Sequence, residues 1–254
     1  MAASRSQAVR LIAGGLCWRD AGSGDAWRSV TKNRDDLPET AELDLFDAAE
    51  ARYVSRGGLK LESALHASGL AVTGKRCLDV GQSTGGFTDC LLQHGAASVV
   101  GVDVGHGQLH PAMRGDARVL CIEGVNARAL DATDLIADSE DETGATASFD
   151  ENFEVIVGDL SFISLTLVLP ALVPLLASQG ALLMLVKPQF ELQPGQVGKG
   201  GIVRDAALYT VVEQRLRDCL ASLGMQVAGW YESAITGGDG NREFFIHATH
   251  PTLT

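Results

Sequence analysis

From residue 75 onward, short apolar runs alternate with longer amphipathic segments, and this alternation constrains the fold more than any other feature. Short apolar runs of this kind are typical of strands in a parallel sheet that is covered on both faces. We predict strands over 76–80, 98–103, 119–123, 154–158, 181–187, 226–232 and 243–248, and helices over 86–94, 164–177 and 206–222. This order predicts a doubly wound α/β domain with a mostly parallel seven-stranded sheet.

Two connections in this domain carry further predictions. The segment "SAITGGDGNRE" is too short to hold a crossover helix, so we expect the last strand to pair antiparallel with the strand before it. The segment 131–152 is acidic and rich in small residues, which predicts a solvated loop without a core of its own.

The first part of the chain predicts a separate small module. The stretch "SRSQAVRLIAGGL" predicts a helix closed by glycines, and short strand-like pieces follow it as far as "AELDLFD". We therefore expect a small α+β module over 1–48, a linker over 49–58 and the larger domain over 59–254. The larger domain opens with the predicted helix "LKLESALHASG".

The composition excludes several classes of protein. With 254 residues and 46% hydrophobic content, the chain can bury a sizeable core. The apolar run "ISLTLVLPALVPLLA" is shorter than the roughly twenty residues of a bilayer span, and the N-terminus lacks a secretory signal core, so we expect no membrane span and a cytoplasmic location. Five scattered cysteines without a C-x-x-C pair indicate neither a disulfide framework nor a zinc site, and no metal is expected.

The net charge of −12, taken alone, disfavours a nucleic-acid partner, but the distribution of the charge along the chain matters more than its sum. Nine acidic residues and no Lys or Arg lie between Asp131 and Glu154. Residues 1–34, in contrast, hold six basic side chains against two acidic ones. That local excess of positive charge can bind phosphate, although charge alone equally fits a solvated helix face.

The segment "CLDVGQSTGGFTDCLL" places a glycine-rich turn between the first strand of the sheet and a helix, where open α/β sheets bind ligands. Phe87 stands where a triphosphate-binding loop needs lysine, and Ser83 replaces the second glycine of a dinucleotide fingerprint. S-adenosylmethionine has no phosphate and fits better, because Asp79 suits its ammonium and Asp103 suits its ribose hydroxyls. A tight turn without a ligand stays open as an alternative.

Six motifs carry a resemblance to a known family. They are "YVSRGGLKLESAL", "CLDVGQSTGGFTDCLL", "VGVDVGHGQL", "VGDLSFISL", "LVKPQFE" and "GNREFF". In this order they resemble the TlyA family, whose members are described as hemolysins and as ribosomal RNA 2'-O-methyltransferases, and which is related to the FtsJ-type methyltransferases. The resemblance implies a Rossmann-like methyltransferase that uses S-adenosylmethionine to methylate a ribose 2'-hydroxyl, with cytidine as the expected nucleotide and ribosomal RNA or ribosomal subunits as partners.

The resemblance also implies site residues. Those expected to bind S-adenosylmethionine are Asp79, Gly81, Ser83, Thr84, Gly85, Gly86, Phe87, Asp103, Asn126 and Asp159. The catalytic set of the superfamily is a Lys-Asp-Lys-Glu tetrad, and the matching positions are Lys60, Asp159, Lys187 and Glu243.

A tetrad of these residue types makes chemical sense for a ribose substrate. A 2'-hydroxyl is a poor nucleophile, so a base close to its oxygen assists methyl transfer. The resemblance assigns that role to Lys187, although the residue alone also fits the exit of a strand into solvent. Lys60 would hold the ribose or its phosphate, Asp159 would orient the cofactor methyl and one lysine, and Glu243 would fix the second lysine. The sequence leaves open whether the neighbouring charges favour a neutral lysine.

The N-terminal module resembles the RNA-binding fold of a small-subunit ribosomal protein, and its first helix is expected to be missing. The segment "CWRDAGSGDAWRSVTK" departs from the short hairpin of that fold. The residues expected to contact RNA are Arg5, Arg10, Arg19, Lys32 and Arg56.

Two other functions would leave different features in the sequence. A membrane-active hemolysin would be expected to show a membrane span or a long amphipathic basic helix, and the sequence has neither. A base methyltransferase would usually carry an N-P-P-Y-like motif after the fourth strand, where "DLSF" stands instead.

Overall fold

The computed structural model describes residues 8–9, 11–12, 16–24, 26–32, 34–45, 52–135 and 152–251. Most of the predicted first helix and residues 136–151 of the predicted acidic loop lie outside these described residues. Within the same predicted loop, Ala132–Leu135 form a turn of 3-10 helix whose Leu135 side chain is buried. That leucine packs with the core of the larger domain, so the described part of the predicted loop is not wholly solvated.

The small N-terminal sheet has three antiparallel strands: β1 (Leu16–Asp20), β2 (Arg28–Ser29) and β3 (Ala41–Leu45). Their order is β2-β1-β3, so β1 is central. Strand β3 confirms the strand predicted in "AELDLFD".

The larger domain contains seven strands and six helices among the described residues. The strands are β4 (Arg76–Val80), β5 (Ser98–Asp103), β6 (Val119–Glu123), β7 (Phe153–Gly158), β8 (Leu176–Val186), β9 (Gln226–Glu232) and β10 (Phe244–Thr249). The helices are α1 (Gly57–Ser68), α2 (Gly86–Gln93), α3 (Pro111–Arg114), α4 (Leu169–Leu172), α5 (Pro188–Glu191) and α6 (Ala207–Ser222).

The strand order β6-β5-β4-β7-β8-β10-β9 confirms the predicted doubly wound sheet. Strands β6, β5, β4, β7 and β8 run parallel to one another, while β10 lies antiparallel to both β8 and β9. The predicted direction of the last strand is therefore confirmed. Because β10 runs against β8, the start of β10 lies at the carboxyl end of β8, the edge where open α/β sheets bind ligands.

Both faces of the sheet are buried, as the continuous apolar runs predicted. Alternate residues of each strand belong to different cores: Leu78 and Ile156 pack with α6, whereas Cys77 and Val155 pack with α1 and α2. Because both faces of the sheet are covered, side chains of its central strands are accessible only at the ends of the strands.

The predicted helix over 164–177 was wrong. The segment forms a 3-10 turn, the one-turn helix α4 and a second 3-10 turn, and β8 already begins at Leu176, five residues before its predicted start. Pro170 and Pro174 explain the break, because each lacks the N–H that a continuous helix would use. Val168, Leu169 and Leu172 stay fully buried, so apolar packing rather than helical hydrogen bonding holds the segment.

The helix predicted to open the larger domain is confirmed, but α1 begins at Gly57, two residues before the predicted boundary at 59. Tyr53, inside the predicted linker, is buried in the core that contains α1 and α2. Its ring lies so close to Gly58 that a β-carbon there would fall 2.2 Å from it. The end of the linker thus packs as part of the larger domain.

Candidate active site

The turn after β4 adopts a conformation that only small residues tolerate well. Gly81 and Gly85 have φ angles of 82° and 90°, and Ser83 has a φ of 48°. A β-carbon on Gly81 would lie 2.7 Å from the backbone oxygen of Asp159, so this glycine lets the turn pass directly over the end of β7. The turn is therefore held between the ends of two neighbouring strands.

Asp103, at the end of β5, fixes the same turn from the other side. Its Oδ2 accepts a hydrogen bond from the backbone N–H of Ser83 at 2.7 Å, and its Oδ1 accepts one from Gly105 at 2.7 Å. The carboxylate also lines a cavity at this edge of the sheet, where it presents negative charge to the interior.

The cavity has a volume of about 570 Å³, within the range of small-molecule sites. It lies at the carboxyl edge of the parallel strands, where the sequence predicts the ligand site. The predicted residues that line it are Gly81, Ser83, Thr84, Gly86, Phe87, Asp103, Asn126, Asp159 and Lys187. The turn, the ends of three strands and the predicted base thus meet in one place.

Part of the cavity wall was not predicted from the motifs. Missed lining residues are Ser55, Gly57, Gln82, Val102, Val104, Gln108, Val125, Ala127, Leu160, Ser161, Phe162 and Ile163. Most of them directly follow β5, β6 or β7, so the rule that ligands bind beyond the carboxyl ends of parallel strands could have found them. The apolar members provide a wall suited to a flat aromatic ring.

Two predicted cofactor residues do not line the cavity. The Asp79 side chain is 1% exposed beneath the turn, where its Oδ2 accepts a hydrogen bond from the Thr88 hydroxyl at 2.7 Å. Burial raises the Asp79 pKa to about 7, although the Thr88 hydrogen bond opposes the rise. Gly85 is the N-cap residue just before α2, and a β-carbon there would lie 2.8 Å from the Leu109 side chain. Both residues support the turn from behind.

The predicted tetrad forms two lysine–carboxylate pairs. Lys187 Nζ lies 2.6 Å from Asp159 Oδ1 and donates a hydrogen bond to Ser161 Oγ at 2.8 Å. Lys60 Nζ lies 2.6 Å from Glu243 Oε2. The first pair lines the cavity, while neither member of the second pair does.

Electrostatics join the two pairs into one group. Burial raises the Glu243 pKa, and the charges of Lys60 and then Lys187 oppose that rise, whereas the Asp159 charge adds to it. Glu243 therefore interacts with all three other members of the tetrad. Helix α1 supplies one member, and the carboxyl edge of the sheet supplies the other three.

The predicted RNA-contacting residues fall in different places. Arg5 and Arg10 lie outside the described residues. Arg19 pairs with Glu42, with its Nε 2.6 Å from Oε2, and Lys32 is exposed. Arg56, just before α1, donates from a terminal nitrogen to the backbone oxygen of Thr236 at 3.3 Å, which brings it close to the loop that precedes Glu243.

The shape and the lining of the cavity can be compared with the chemistry of S-adenosylmethionine. A glycine turn brings backbone close to the ligand space, Asp103 can accept from ribose hydroxyls, and the apolar wall suits an adenine ring. The residues present therefore fit this cofactor. Among the described residues, no helix could span a membrane and no group of three metal-ligating side chains occurs.

The strand order, the cavity and the tetrad together define the class, a Rossmann-like methyltransferase domain. The model of the FtsJ-like methyltransferase family matches residues 53–250. A curated relative, the 16S/23S rRNA (cytidine-2'-O)-methyltransferase TlyA of Mycobacterium tuberculosis, is 40% identical over 97% of this chain and 84% of its own length.

Two further comparisons carry the hemolysin name. Hemolysin A of Brachyspira hyodysenteriae is 36% identical over 96% of this chain and 93% of its own length. A solved structure of a hemolysin-named protein from Streptococcus thermophilus aligns with a TM-score of 0.75 and 37% identity, over 98% of this chain and 84% of that one. The chain belongs to the FtsJ-like methyltransferases and, among them, to the TlyA family.

Proposed function

We propose that this protein transfers a methyl group from S-adenosylmethionine to the ribose 2'-hydroxyl of a cytidine in ribosomal RNA. The observation that carries the proposal is Lys187, which lines the cavity 2.6 Å from Asp159 and belongs to the group formed with Lys60 and Glu243. The M. tuberculosis relative, named as an rRNA (cytidine-2'-O)-methyltransferase, supports the substrate.

The cofactor would be held by residues around the turn. Asp103 would accept hydrogen bonds from its ribose, and the backbone of Gly81 and Ser83 would run beside it. Val104 and Leu160, which form part of the apolar wall, would contact the adenine. Asp79 and Gly85 would act indirectly, because they keep the turn in place. When bound, S-adenosylmethionine supplies an electrophilic methyl group on a sulfonium.

Lys187 would act on the RNA. In its neutral form, the amine accepts the proton of the 2'-hydroxyl while the oxygen of that hydroxyl gains the methyl group. The hydrogen bond to Ser161 and the pairing with Asp159 hold Nζ at the wall of the cavity. A fixed base removes the need to order this side chain during the reaction.

Lys60 and Glu243 would set the charge around this base. The Glu243 carboxylate is almost fully buried and pairs with Lys60, so the ion pair is shielded from solvent. Because Lys60 does not line the cavity, we assign it to the field around Lys187 rather than to direct contact with the ribose or its phosphate. Ribosomal RNA or a ribosomal subunit as substrate also supports a cytoplasmic location.

The test compares ribosomal RNA from cells with and without the gene. Riboses that carry a 2'-O-methyl group resist alkaline cleavage of the following phosphodiester bond, and sequencing of the cleavage products locates them. We expect at least one cytidine to lose its methyl group in the deletion strain and regain it with the wild-type gene but not with the Lys187→Ala gene. Identical ribose methylation in all strains would refute the proposal.

The hemolysin names define an alternative outcome rather than a second proposal. If the purified protein released dye from lipid vesicles and bound no S-adenosylmethionine in a calorimetric titration, a membrane-active protein with a vestigial fold would replace the enzyme. Cofactor binding without vesicle leakage would support methyl transfer.

A further inference from the structure

The segment 198–204 forms a tight, glycine-rich loop between α5 and α6, in which residues 198–200 and 204 are exposed and Val203 is buried. The N–H of Gly198 donates to the oxygen of Ile202 at 2.9 Å, and Gly200 and Gly201 both have positive φ angles near 80°. A β-carbon on Gly198 would lie 2.9 Å from that oxygen, so the closure of the loop needs glycine. We call residues 198–204 the glycine loop.

The glycine loop carries two cations. Lys199 and Arg204 are both exposed, and neither forms an ion pair with any part of the chain that the structure describes. Arg204 Nε lies 4.0 Å from the β-carbon position of Gly198, so the guanidinium folds back toward the residue before Lys199. The neighbouring Asp205 carboxylate caps the following helix, because its Oδ1 accepts a hydrogen bond from the N–H of Ala207 at the start of α6.

A buried amide holds the glycine loop in place. The Asn241 side chain, only 1% exposed, accepts from the N–H of Val203 at 2.9 Å and donates to the oxygen of Gly201 at 2.9 Å. Its second amide hydrogen reaches Asp239 Oδ2 at 2.9 Å. Two hydrogen bonds to this buried amide restrict movement of the glycine loop, and the third fixes the amide itself against Asp239.

The same amide connects the glycine loop to the tetrad. Asn241 lies two residues before Glu243, and a β-carbon on Gly237 in the same connection would lie 2.6 Å from Glu243 Oε1. Gln189, two residues after Lys187, donates to Asp239 Oδ2 at 3.0 Å. The glycine loop is therefore tied to the chain segments that carry Glu243 and Lys187.

Arg56 also contacts this connection, where it donates to the backbone oxygen of Thr236. The connection between β9 and β10 is thus contacted by Arg56 at Thr236 and by the glycine loop at Asn241. An RNA strand carries one negative charge per nucleotide, so cations beside a catalytic centre can position its phosphates. A lysine and an arginine suit phosphate in different ways, as a mobile point charge and as a planar fork.

We propose that Lys199 and Arg204 bind backbone phosphates of the substrate RNA next to the target ribose, and that Asn241 is a positioning residue that holds their loop. The proposal rests on RNA being the substrate. It adds a phosphate contact within the catalytic domain, independent of the N-terminal module.

The test measures RNA affinity directly, so it needs no methyl transfer. The variant Lys199→Ala/Arg204→Ala is compared with Lys75→Ala/Arg118→Ala, which removes the same charges just before β4 and β6, at the opposite edge of the sheet. A labelled fragment of ribosomal RNA is titrated with each protein over a salt series by fluorescence anisotropy. We expect Kd to rise about tenfold and the salt slope to fall by about two in the first variant, with no such change in the control.

Asn241 is tested through non-additivity. We expect Asn241→Ala to raise KM for RNA with kcat and S-adenosylmethionine affinity retained, and to add nothing further when Lys199 and Arg204 are already alanine. If Asn241→Ala does not fold, the charge variant still decides the proposal.

The outcomes separate this proposal from the proposed function. Equal Kd and equal salt slope in the wild type and the Lys199→Ala/Arg204→Ala variant would overturn the phosphate contact, as would an equal loss in the control. If the wild type bound RNA with the expected variant effect but methylated no ribose, the contact would stand and the proposed reaction would fall. Absence of RNA binding by the wild type would overturn both.

Discussion

The two lysine–carboxylate pairs of the tetrad have the same chemistry and different surroundings. Both bring a lysine Nζ to 2.6 Å from a carboxylate oxygen. The side chains of Lys60 and Glu243 are 10% and 2% exposed, whereas those of Lys187 and Asp159 are 13% and 24% exposed, and the latter two line the cavity. The difference lies mainly in the carboxylates, because Glu243 is sealed and Asp159 is open.

This difference separates two tasks. A sealed pair is costly to break, because the remaining charge has no water to replace its partner. An open pair at a cavity can exchange its partner for a substrate at lower cost. We therefore expect the Lys60–Glu243 pair to govern stability and the local field, and the Lys187–Asp159 pair to govern the reaction.

The largest effect should come from Lys187. We expect Lys187→Ala to slow methyl transfer by about 10²–10⁴-fold, the usual contribution of a general base, with S-adenosylmethionine affinity retained. Lys187→Arg should be equally inactive, although it keeps the positive charge beside Asp159, because arginine does not lose its proton in proteins. Single-turnover methylation of ribosomal RNA measures the rate, with Lys75→Ala as the control. Near wild-type transfer by either variant would remove Lys187 from the mechanism.

The next effect concerns stability. Lys60→Ala should lower the free energy of unfolding by about 3–5 kcal/mol, because it leaves Glu243 buried without its partner. Lys60→Met combined with Glu243→Gln should recover part of this loss. Urea unfolding at neutral pH measures both, alongside Lys187→Ala, for which we expect a smaller loss. Equal losses at Lys60 and Lys187 would contradict the division between a sealed and an open pair.

Asp79 sharpens the comparison, because it is a buried carboxyl without a lysine partner. Its folded pKa of about 7 lies above the ordinary value of 3.8, so its contribution to stability is complete below pH 3.8 and is lost as pH rises through 7. Between pH 5 and 8, we expect wild-type stability to fall by roughly 2–3 kcal/mol more than that of Asp79→Asn, which cannot titrate there. Parallel stability curves from chemical unfolding at several pH values would contradict the assigned protonation.

The smallest effect tests whether the cofactor side is separate from both pairs. We expect Asp103→Ala to weaken S-adenosylmethionine binding by roughly 1.5 kcal/mol, about tenfold, through the loss of hydrogen bonds to a charged acceptor. The kcat at saturating cofactor should change little. Isothermal titration gives the affinity, and Asp116→Ala, at a site away from the cavity, serves as the control. An unchanged affinity would exclude Asp103 from the cofactor site.

Much of the sheet could be predicted because most of its strands are short, largely apolar runs between polar or glycine-rich segments. The helix predicted over 164–177 was wrong because the apolar spacing of this segment fits a helix, whereas Pro170 and Pro174 prevent a continuous one. The periodic pattern outweighed the backbone chemistry in that prediction. Leu176 likewise belongs to a strand whose start is set by pairing with Phe153, and such pairing has no local signal.

The residue types of the site could be predicted, but the burial and the pairing of their side chains could not. The motifs predicted the tetrad, yet no spacing indicates that Lys60 from α1 pairs with Glu243 just before β10. Asp79 looked like a ligand residue because it precedes the glycine turn, and only the packing of Thr88 over it shows that it lies beneath the turn. Burial and long-range pairing depend on tertiary contacts, which a single sequence does not reveal.

The most direct test uses purified protein, S-adenosylmethionine labelled in its methyl group, and ribosomal subunits from a strain that lacks the gene. After methylation, the RNA is digested to nucleosides and analysed by mass spectrometry. We expect labelled 2'-O-methylcytidine with the wild-type protein and none with Lys187→Ala, which should still bind the cofactor. Label on a nucleobase, or equal ribose labelling by Lys187→Ala, would contradict ribose methylation by this tetrad.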